Sequence, residues 1–131
     1  MQKRLINPPG SERTYRVMRF SQAVRVADTI WVSGQVGMDK DGRIPASLKE
    51  QADLAFQNLT NVLAAADSSL ADIVELTTYH IDMQTIRDFA RVKNRYLTAD
   101  FPAWTAVGVT ALLYPELLLE IKAVAVVGSG A

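Results

Sequence analysis

The chain has 131 residues, of which 49% are hydrophobic, and its 14 basic and 14 acidic side chains cancel to a formal net charge of zero. This balance argues against a general nucleic-acid binder and against attachment to anionic membranes by charge. There is no cysteine, which excludes disulfides, cysteine-ligated metal centres and cysteine nucleophiles.

The length and the lack of an internal linker predict a single domain over 1–131, with an extended arm over 1–12 and a loose tail over 128–131. The first residues lack the apolar segment of a signal peptide, and no apolar run is long enough to cross a membrane, so we expect a cytoplasmic protein. Residues 1–25 carry six basic side chains against Glu12, a net of 6 − 1 = +5. This segment either meets an acidic surface of this or a neighbouring subunit or binds an anionic ligand.

Three short β-rich runs open the chain. Loose alternation over 14–18 indicates a strand, and the runs 23–26 and 29–32 are separated by two residues, the spacing of a hairpin. Gly34 and Gly37 are expected to break the strand pattern. A helix is predicted over about 47–66, because residues 47–50 form a capping box and apolar residues follow at steps of three and four.

The second half of the chain continues the mixture of strands and helices. Residues 73–83 predict a strand, residues 85–99 a helix, and residues 104–110 and 117–127 the last two strands. Together these elements predict an α+β fold, a mixed sheet of about six strands with two helices packed on one face. The last strand is apolar on both sides, so we expect the uncovered face of the sheet to be buried against another subunit.

Motifs of the common cofactor chemistries are missing from this sequence. It contains no G-x-x-x-x-G-K-[ST], no G-x-G-x-x-G and no H-E-x-x-H, so we expect no cofactor and no metal site. Its one histidine, His80, is expected to be structural and bonded to a threonine or a carboxylate, because one histidine without cysteines does not build a zinc site. Nothing in the spacing supports a catalytic set of Ser33, His80 and Asp82.

Three charged residues lie among apolar ones. Glu120 and Lys122 share one side of the last strand, where an ionised glutamate needs a partner. Either the two form an internal ion pair, or Glu120 is a pocket carboxylate that positions water or accepts a proton. Lys93 shares a helix face with Phe89 and Leu97, and its ammonium either extends to the edge of that face or reaches a cleft.

Four segments that occur in order, at residues 20–24, 32–35, 51–65 and 119–123, resemble the Rid family, also called YjgF or L-PSP. The resemblance covers about residues 20–127. It implies a chorismate-mutase-like fold and a homotrimer, in which three sheets form a central barrel and the clefts between subunits bind small carboxylates. The activity it implies is the cofactor-free hydrolysis of enamines and imines, such as 2-iminopropanoate, to 2-keto acids and ammonia.

The resemblance also shows where this chain departs from the family. Active members hold the substrate carboxylate with the arginine of a Pro-Ala-Arg-Ser/Thr stretch, whereas residues 102–105 here are Pro-Ala-Trp-Thr. An indole cannot form the two parallel, charged hydrogen bonds of a guanidinium group. Phe20 stands where the family has a pocket tyrosine and Lys93 where it has a helix asparagine, while Ser33 and Glu120 match.

These correspondences imply a set of site residues. Glu120 is the catalytic candidate, and the ligand-binding candidates are Phe20, Ser33, Gly34, Lys93, Trp104 and Thr105. Trp104 favours an apolar, aromatic or cationic ligand. A carboxylate ligand stays open, because Arg16, Arg19 or Arg25 could replace the missing arginine. Residues 104–110 look most similar to the YjgH-like branch of the family.

The leading hypothesis is a Rid-like homotrimer that binds or transforms a small metabolite, with Trp104 arguing against the usual deaminase activity. One alternative is a residual imine deaminase, a cofactor-free hydrolase. Another is a non-enzymatic, chaperone-like trimer. The older ribonuclease label of the family is disfavoured, because the chain is neutral and has one histidine.

Overall fold

In the computed structural model, which describes residues 1–130, six strands form one sheet. The strands are β1 (Arg4–Ile6), β2 (Ala23–Val26), β3 (Thr29–Val36), β4 (Ile73–His80), β5 (Ala103–Gly108) and β6 (Leu119–Val126). The helices are α1 (Glu12–Met18), α2 (Leu48–Ala65) and α3 (Ile86–Tyr96), with 3-10 turns at Leu70–Asp72 and Met83–Thr85. The strand order is β1-β2-β3-β6-β4-β5, and every neighbouring pair is antiparallel except β4 and β5. The predicted α+β fold with a mixed six-stranded sheet is confirmed.

The core lies between one face of this sheet and helices α2 and α3. Strand β6 shows the pattern most clearly, because every second side chain from Leu119 to Ala125 is buried while the residues between them are more exposed. Phe56 and Leu59 of α2 and Phe89 of α3 belong to the same buried cluster. We call this side of the sheet the helix-covered face and the opposite side the open face.

Helix α2 begins where the capping box predicts. The hydroxyl of Ser47 accepts a hydrogen bond from the backbone N–H of Glu50 at 3.1 Å. One turn into the helix, the fully buried Gln51 side chain donates to the carbonyl oxygens of Pro45 and Glu116 and accepts from the backbone N–H of Leu118. The start of α2 is thereby joined to the chain that leads into β6.

The predicted strand over 14–18 is wrong, since these residues belong to helix α1. The Glu12 carboxylate accepts from the N–H of Gly10 at 3.0 and 3.2 Å, and an acidic residue in the first turn stabilises a helix. The helix ends at Arg19, which has a φ of 59° in the left-handed region. The first strand instead comes from residues expected in the arm, where Arg4–Ile6 pairs with β2 and buries Ile6.

The sequence pattern predicted a break at Gly34. In the structure the strand does not end there, since β3 continues to Val36. The pairing with β6 shifts between Val32 and Gln35, so that Ser33 and Gly34 form a bulge opposite one residue of β6. Glycine at this bulge leaves room for the Glu120 side chain of β6.

The later elements are shorter than predicted, and α3 ends at Tyr96, well before Pro102.

The open face carries a row of apolar side chains. Val24, Trp31 and Val124 stand side by side in register on β2, β3 and β6, and Trp31 is 49% exposed. Val74 on β4 is also exposed. Neither α2 nor α3 covers this face, so its burial against another subunit stays a prediction. None of the helices within residues 1–130 combines the length and the hydropathy needed to cross a lipid bilayer.

Candidate functional site

Trp104 lies on β5, beside Leu76 of β4 in the parallel ladder. Residues paired in this way share a face of the sheet, so the indole points toward α3 on the helix-covered face. Its Nε1–H donates to the hydroxyl oxygen of Thr78 at 2.9 Å, and its ring lies 6.2 Å from that of Phe89. The side chain is 38% exposed, so the indole is anchored at one edge while much of it faces solvent.

Lys93 of helix α3 lies over this indole. Its Nζ is 4.5 Å from the centre of the Trp104 ring, a cation–π distance, and it donates to the side-chain oxygen of Asn94 at 3.0 Å. The sequence left two places open for this ammonium, the edge of its helix face and a cleft. In the structure it lies over the indole and borders the groove described next. Partial burial lowers the pKa of Lys93. The ammonium forms no ion pair with a carboxylate within residues 1–130.

Both side chains line an open groove between the end of α3 and strands β4 and β5. Its volume is about 680 Å³, within the range of small-molecule sites. The walls are mostly apolar and include no acidic residue: Leu76, Lys93, Asn94, Leu97, Thr98, Phe101, Pro102 and Trp104. A ligand here would meet one positive charge and several apolar surfaces.

Glu120 lies elsewhere, on the open face. It pairs with Tyr79 of β4 and Val36 of β3, and its carboxyl group lies over Gly34. A side chain at Gly34 would place its Cβ 2.6 Å from the Glu120 carboxyl carbon, so the glycine makes room for this carboxylate. Burial raises the pKa of Glu120. Neither Glu120 nor Lys122 forms an ion pair within residues 1–130, which removes the internal pair as an explanation.

The other sequence-predicted site residues also lie away from the groove. Ser33 donates its hydroxyl to the carbonyl oxygen of Ser21 at 2.7 Å, and Phe20 follows α1 with 40% of its side chain exposed. Thr105 pairs with Thr77, one position beyond Trp104, so it faces the open side. One chain thus brings Lys93 and Trp104 together but leaves Glu120, Ser33 and Gly34 across the sheet.

Residues 11–127 match the model of the family described as Endoribonuclease L-PSP. The chain belongs to this family, the Rid family of the sequence analysis. It is 39% identical over 127 residues to the RutC family protein YjgH of Escherichia coli K12, with 95% of each chain covered. The human 2-iminobutanoate/2-iminopropanoate deaminase is 33% identical over 111 residues, covering 83% of this chain and 80% of that protein.

Solved structures agree with this assignment. The structure named Protein YJGH superposes with a TM-score of 0.87 at 38% identity, covering 97% of this chain and 98% of the other. Yeast Mmf1 superposes with a TM-score of 0.85 at 29% identity, covering 96% and 99%. The resemblance to the YjgH-like branch of the Rid family is confirmed.

None of the arginines considered as a replacement clamp lines the groove of this Rid-family chain. Arg25 donates to the carbonyl oxygens of Ala27 and Ala66, both at 2.8 Å. Arg16 lies in α1, and Arg19 ends that helix. Within residues 1–130, the one cationic side chain that lines the groove is Lys93.

His80 is a structural side chain, as expected, and its partner is a threonine. The ring is fully buried on β4, where Nε2 lies 2.7 Å from the hydroxyl oxygen of Thr78 and the edge of the ring packs against Phe89. Its Nδ1 has no hydrogen-bond partner within residues 1–130. Burial lowers the pKa of His80, because it disfavours the charged imidazolium.

Sequence reasoning missed Thr78 as a partner of Trp104. The signal that exists is weak: Thr78 and His80 are two apart on one strand and therefore share a face. Which tryptophan they meet depends on the pairing of β4 with β5, and the sequence did not predict that pairing. Asn94 of α3 and Phe101, which precedes β5, were missed because their place in the groove depends on how α3 packs beside the sheet.

Proposed function

We propose that this Rid-family chain binds a small organic anion with an apolar or aromatic body in the groove beside Trp104, with the ammonium of Lys93 as its counter-ion. The observation that carries this proposal is the position of Lys93 over the indole, without a carboxylate partner in its own chain. A carboxylate that reaches the ammonium gains a charge-assisted hydrogen bond, which is about twice as strong as a neutral one.

The walls of the groove support the second half of this ligand description. Leu97, Phe101, Pro102 and the indole offer apolar surface on which a hydrocarbon or aromatic body can leave water. Phe101 is 74% exposed, so it gains the most from being covered. A ligand without an apolar part would use the ammonium alone.

Binding of benzoate and of benzamide, its uncharged counterpart, tests this proposal directly. We expect benzoate to raise the melting temperature and benzamide to do so much less, because bound ligand stabilises the folded state. Lys93→Met should weaken benzoate binding by about tenfold or more, the loss of one hydrogen bond to a charged group. Lys40→Met, which removes an exposed lysine of a turn, is the matched control and should leave binding unchanged. Equal binding of the two compounds would contradict the proposal.

We further propose that imine hydrolysis is not the principal activity of this chain. Relatives are named 2-iminobutanoate/2-iminopropanoate deaminases, and Ser33 and Glu120 are retained here, but an indole occupies the position of the substrate-binding arginine. In an assay that generates 2-iminopropanoate in place, we expect 2-keto acid release no faster than in buffer. Trp104→Arg should raise that rate, whereas a fast wild-type enzyme would make residual deaminase activity the correct function.

The proposed assembly is a homotrimer. The apolar row on the open face supports it, since helices cover the other face and an exposed row of this kind usually marks an interface. A second copy is also what could bring Glu120 and Ser33 of one chain beside the groove of another. Light scattering after size exclusion should give three times the chain mass of 14.4 kDa, about 43 kDa. A measured mass of one chain would contradict the homotrimer and, with it, any cleft between subunits.

A further inference from the structure

We infer that Thr78 is a positioning residue for the site, which holds the Trp104 indole in the groove through a hydrogen-bond chain that ends at His80. This inference rests on the proposed function only for its consequence in binding. Neither Thr78 nor His80 lines the groove, so both act through the indole. The chain consists of two short contacts, 2.9 Å from Nε1 of Trp104 to the Thr78 hydroxyl and 2.7 Å from that hydroxyl to Nε2 of His80.

The topology explains why the two contacts meet at one atom. Thr78 and His80 are two apart on β4, so both side chains stand on the helix-covered face. Trp104 pairs with Leu76, two residues before Thr78, and its long side chain extends along the strand to reach the hydroxyl. Both Thr78 and His80 are fully buried, so water does not compete for these hydrogen bonds.

Counting protons shows which atom donates in each hydrogen bond between Trp104, Thr78 and His80. An indole N–H can only donate, so the Thr78 oxygen accepts from Trp104. The single proton of Thr78 then goes to Nε2 of His80, which requires the imidazole proton to be on Nδ1. This arrangement leaves one buried group without a partner within residues 1–130, the Nδ1–H. In the opposite tautomer, both the Thr78 proton and the bare Nδ1 would lack a partner, which costs more.

The result is an indole with a fixed edge and a defined face. Its Nε1 edge is tied to the sheet, and Lys93 lies 4.5 Å from the ring centre. A ring free to rotate about its side-chain bonds would present this surface only part of the time and would lose conformational freedom when a ligand binds. Thr78 therefore sets both the orientation of the aromatic wall and the place of the ammonium over it.

The test compares Thr78→Val, which removes the hydroxyl at nearly constant volume, with Thr78→Ser, which keeps it. Both are made in a Trp31→Phe background, so that the fluorescence of the chain's two tryptophans reduces to that of Trp104. We expect Thr78→Val to lower the fluorescence anisotropy of Trp104 and to increase its quenching by acrylamide. It should also weaken benzoate binding by about threefold to tenfold, the loss of one neutral hydrogen bond. Thr78→Ser should behave like the background.

The same experiment separates failure of this inference from failure of the proposed function. Unchanged anisotropy and quenching in Thr78→Val, or the same changes in Thr78→Ser, would overturn the positioning role. Altered anisotropy without benzoate binding in any of the proteins would support the positioning role of Thr78 and contradict the proposed ligand. A purely structural role would lower the melting temperature without moving the indole.

A measurement on the unmodified protein covers the case in which Thr78→Val does not fold. With one histidine in the chain, the ¹⁵N shifts of the imidazole belong to His80 alone. We expect Nδ1 to carry the proton at neutral pH, and we expect the Nε1–H of Trp104 to exchange with deuterium more slowly than the indole N–H of free tryptophan. A proton on Nε2, or an Nε1–H of Trp104 that exchanges as fast as that of free tryptophan, would overturn the hydrogen-bond chain.

Discussion

The two tryptophans of this chain have similar exposure and opposite surroundings. Trp104 is 38% exposed and Trp31 is 49% exposed. The indole of Trp104 donates to Thr78, carries the Lys93 ammonium over its ring and borders a groove. Trp31 stands between Val24 and Val124 on the open face. Its Nε1 has no hydrogen-bond partner within residues 1–130.

This difference teaches that exposure alone does not tell a ligand site from a subunit contact. An indole with a fixed polar edge and an unpaired charge nearby suits the proposed ligand, an organic anion with an apolar or aromatic body. An indole in an apolar row gains most from being covered by another apolar surface. The helix-covered face thus holds the candidate groove, and the open face holds the proposed interface.

The largest effect is expected from Trp31→Glu. A carboxylate in the middle of the apolar row would have to lose its water at the proposed interface, so the mass should fall from the roughly 43 kDa of the proposed homotrimer to the 14.4 kDa of one chain. Trp104→Phe is the matched control and should keep the larger mass. Light scattering decides, and a Trp31→Glu protein of unchanged mass would place the subunit contact somewhere else.

On the helix-covered face, His80→Ala should lower the free energy of unfolding by about 2 to 4 kcal/mol, because it empties a fully buried site and leaves the Thr78 proton without an acceptor. Tyr15→Ala, on the exposed side of α1, should cost much less. Denaturant titration at one protein concentration measures both. Similar costs for the two substitutions would mean that the His80 ring contributes little to the core.

A smaller effect concerns acid stability. Burial lowers the pKa of His80 below its ordinary value of 6.5, so the unfolded chain takes up this proton first. The stabilisation that comes from a neutral His80 is present above pH 6.5 and is lost as the pH falls toward the pKa of the folded state. We expect His80→Phe to show a flatter stability profile below pH 6.5. A profile parallel to the unmodified protein would assign the acid sensitivity to other groups.

The smallest effect is expected from Glu120→Gln on the open face. Burial raises the pKa of Glu120 above 4.5, so its contribution to stability is greatest below pH 4.5 and is lost as the pH rises through the folded-state pKa. The glutamine variant should therefore be slightly more stable than the unmodified protein at neutral pH and not at pH 4. Glu116→Gln, at an exposed position, is the control. A destabilised Glu120→Gln at neutral pH would reveal a partner for the carboxylate in the assembly.

Local sequence determined most of the secondary structure on which this comparison stands. Ser47 caps α2 because its hydroxyl and the backbone N–H of Glu50 lie within one helical turn, and the alternation of β6 follows from its two unequal faces. The series of family segments predicted the fold, because the resemblance spans nearly the whole domain. The prediction of a strand over 14–18 was wrong. Helix α1 buries none of its residues, so the weak apolar alternation there carried little information about the fold, and Glu12 in the first turn favours a helix.

The tertiary structure decided which site residues meet. The sequence alone identified Trp104 and Lys93 as candidates, but their contact requires α3 to pack over β5, and the Thr78–His80 chain requires the parallel register of β4 and β5. Strand alternation and register place Glu120 and Ser33 on the other side of the sheet, so the predicted cleft that groups them with the indole would need a second copy of the chain. Periodicity reports the face of a residue within its own element, whereas a hydrogen bond or a cation–π contact depends on distances between elements far apart in the chain.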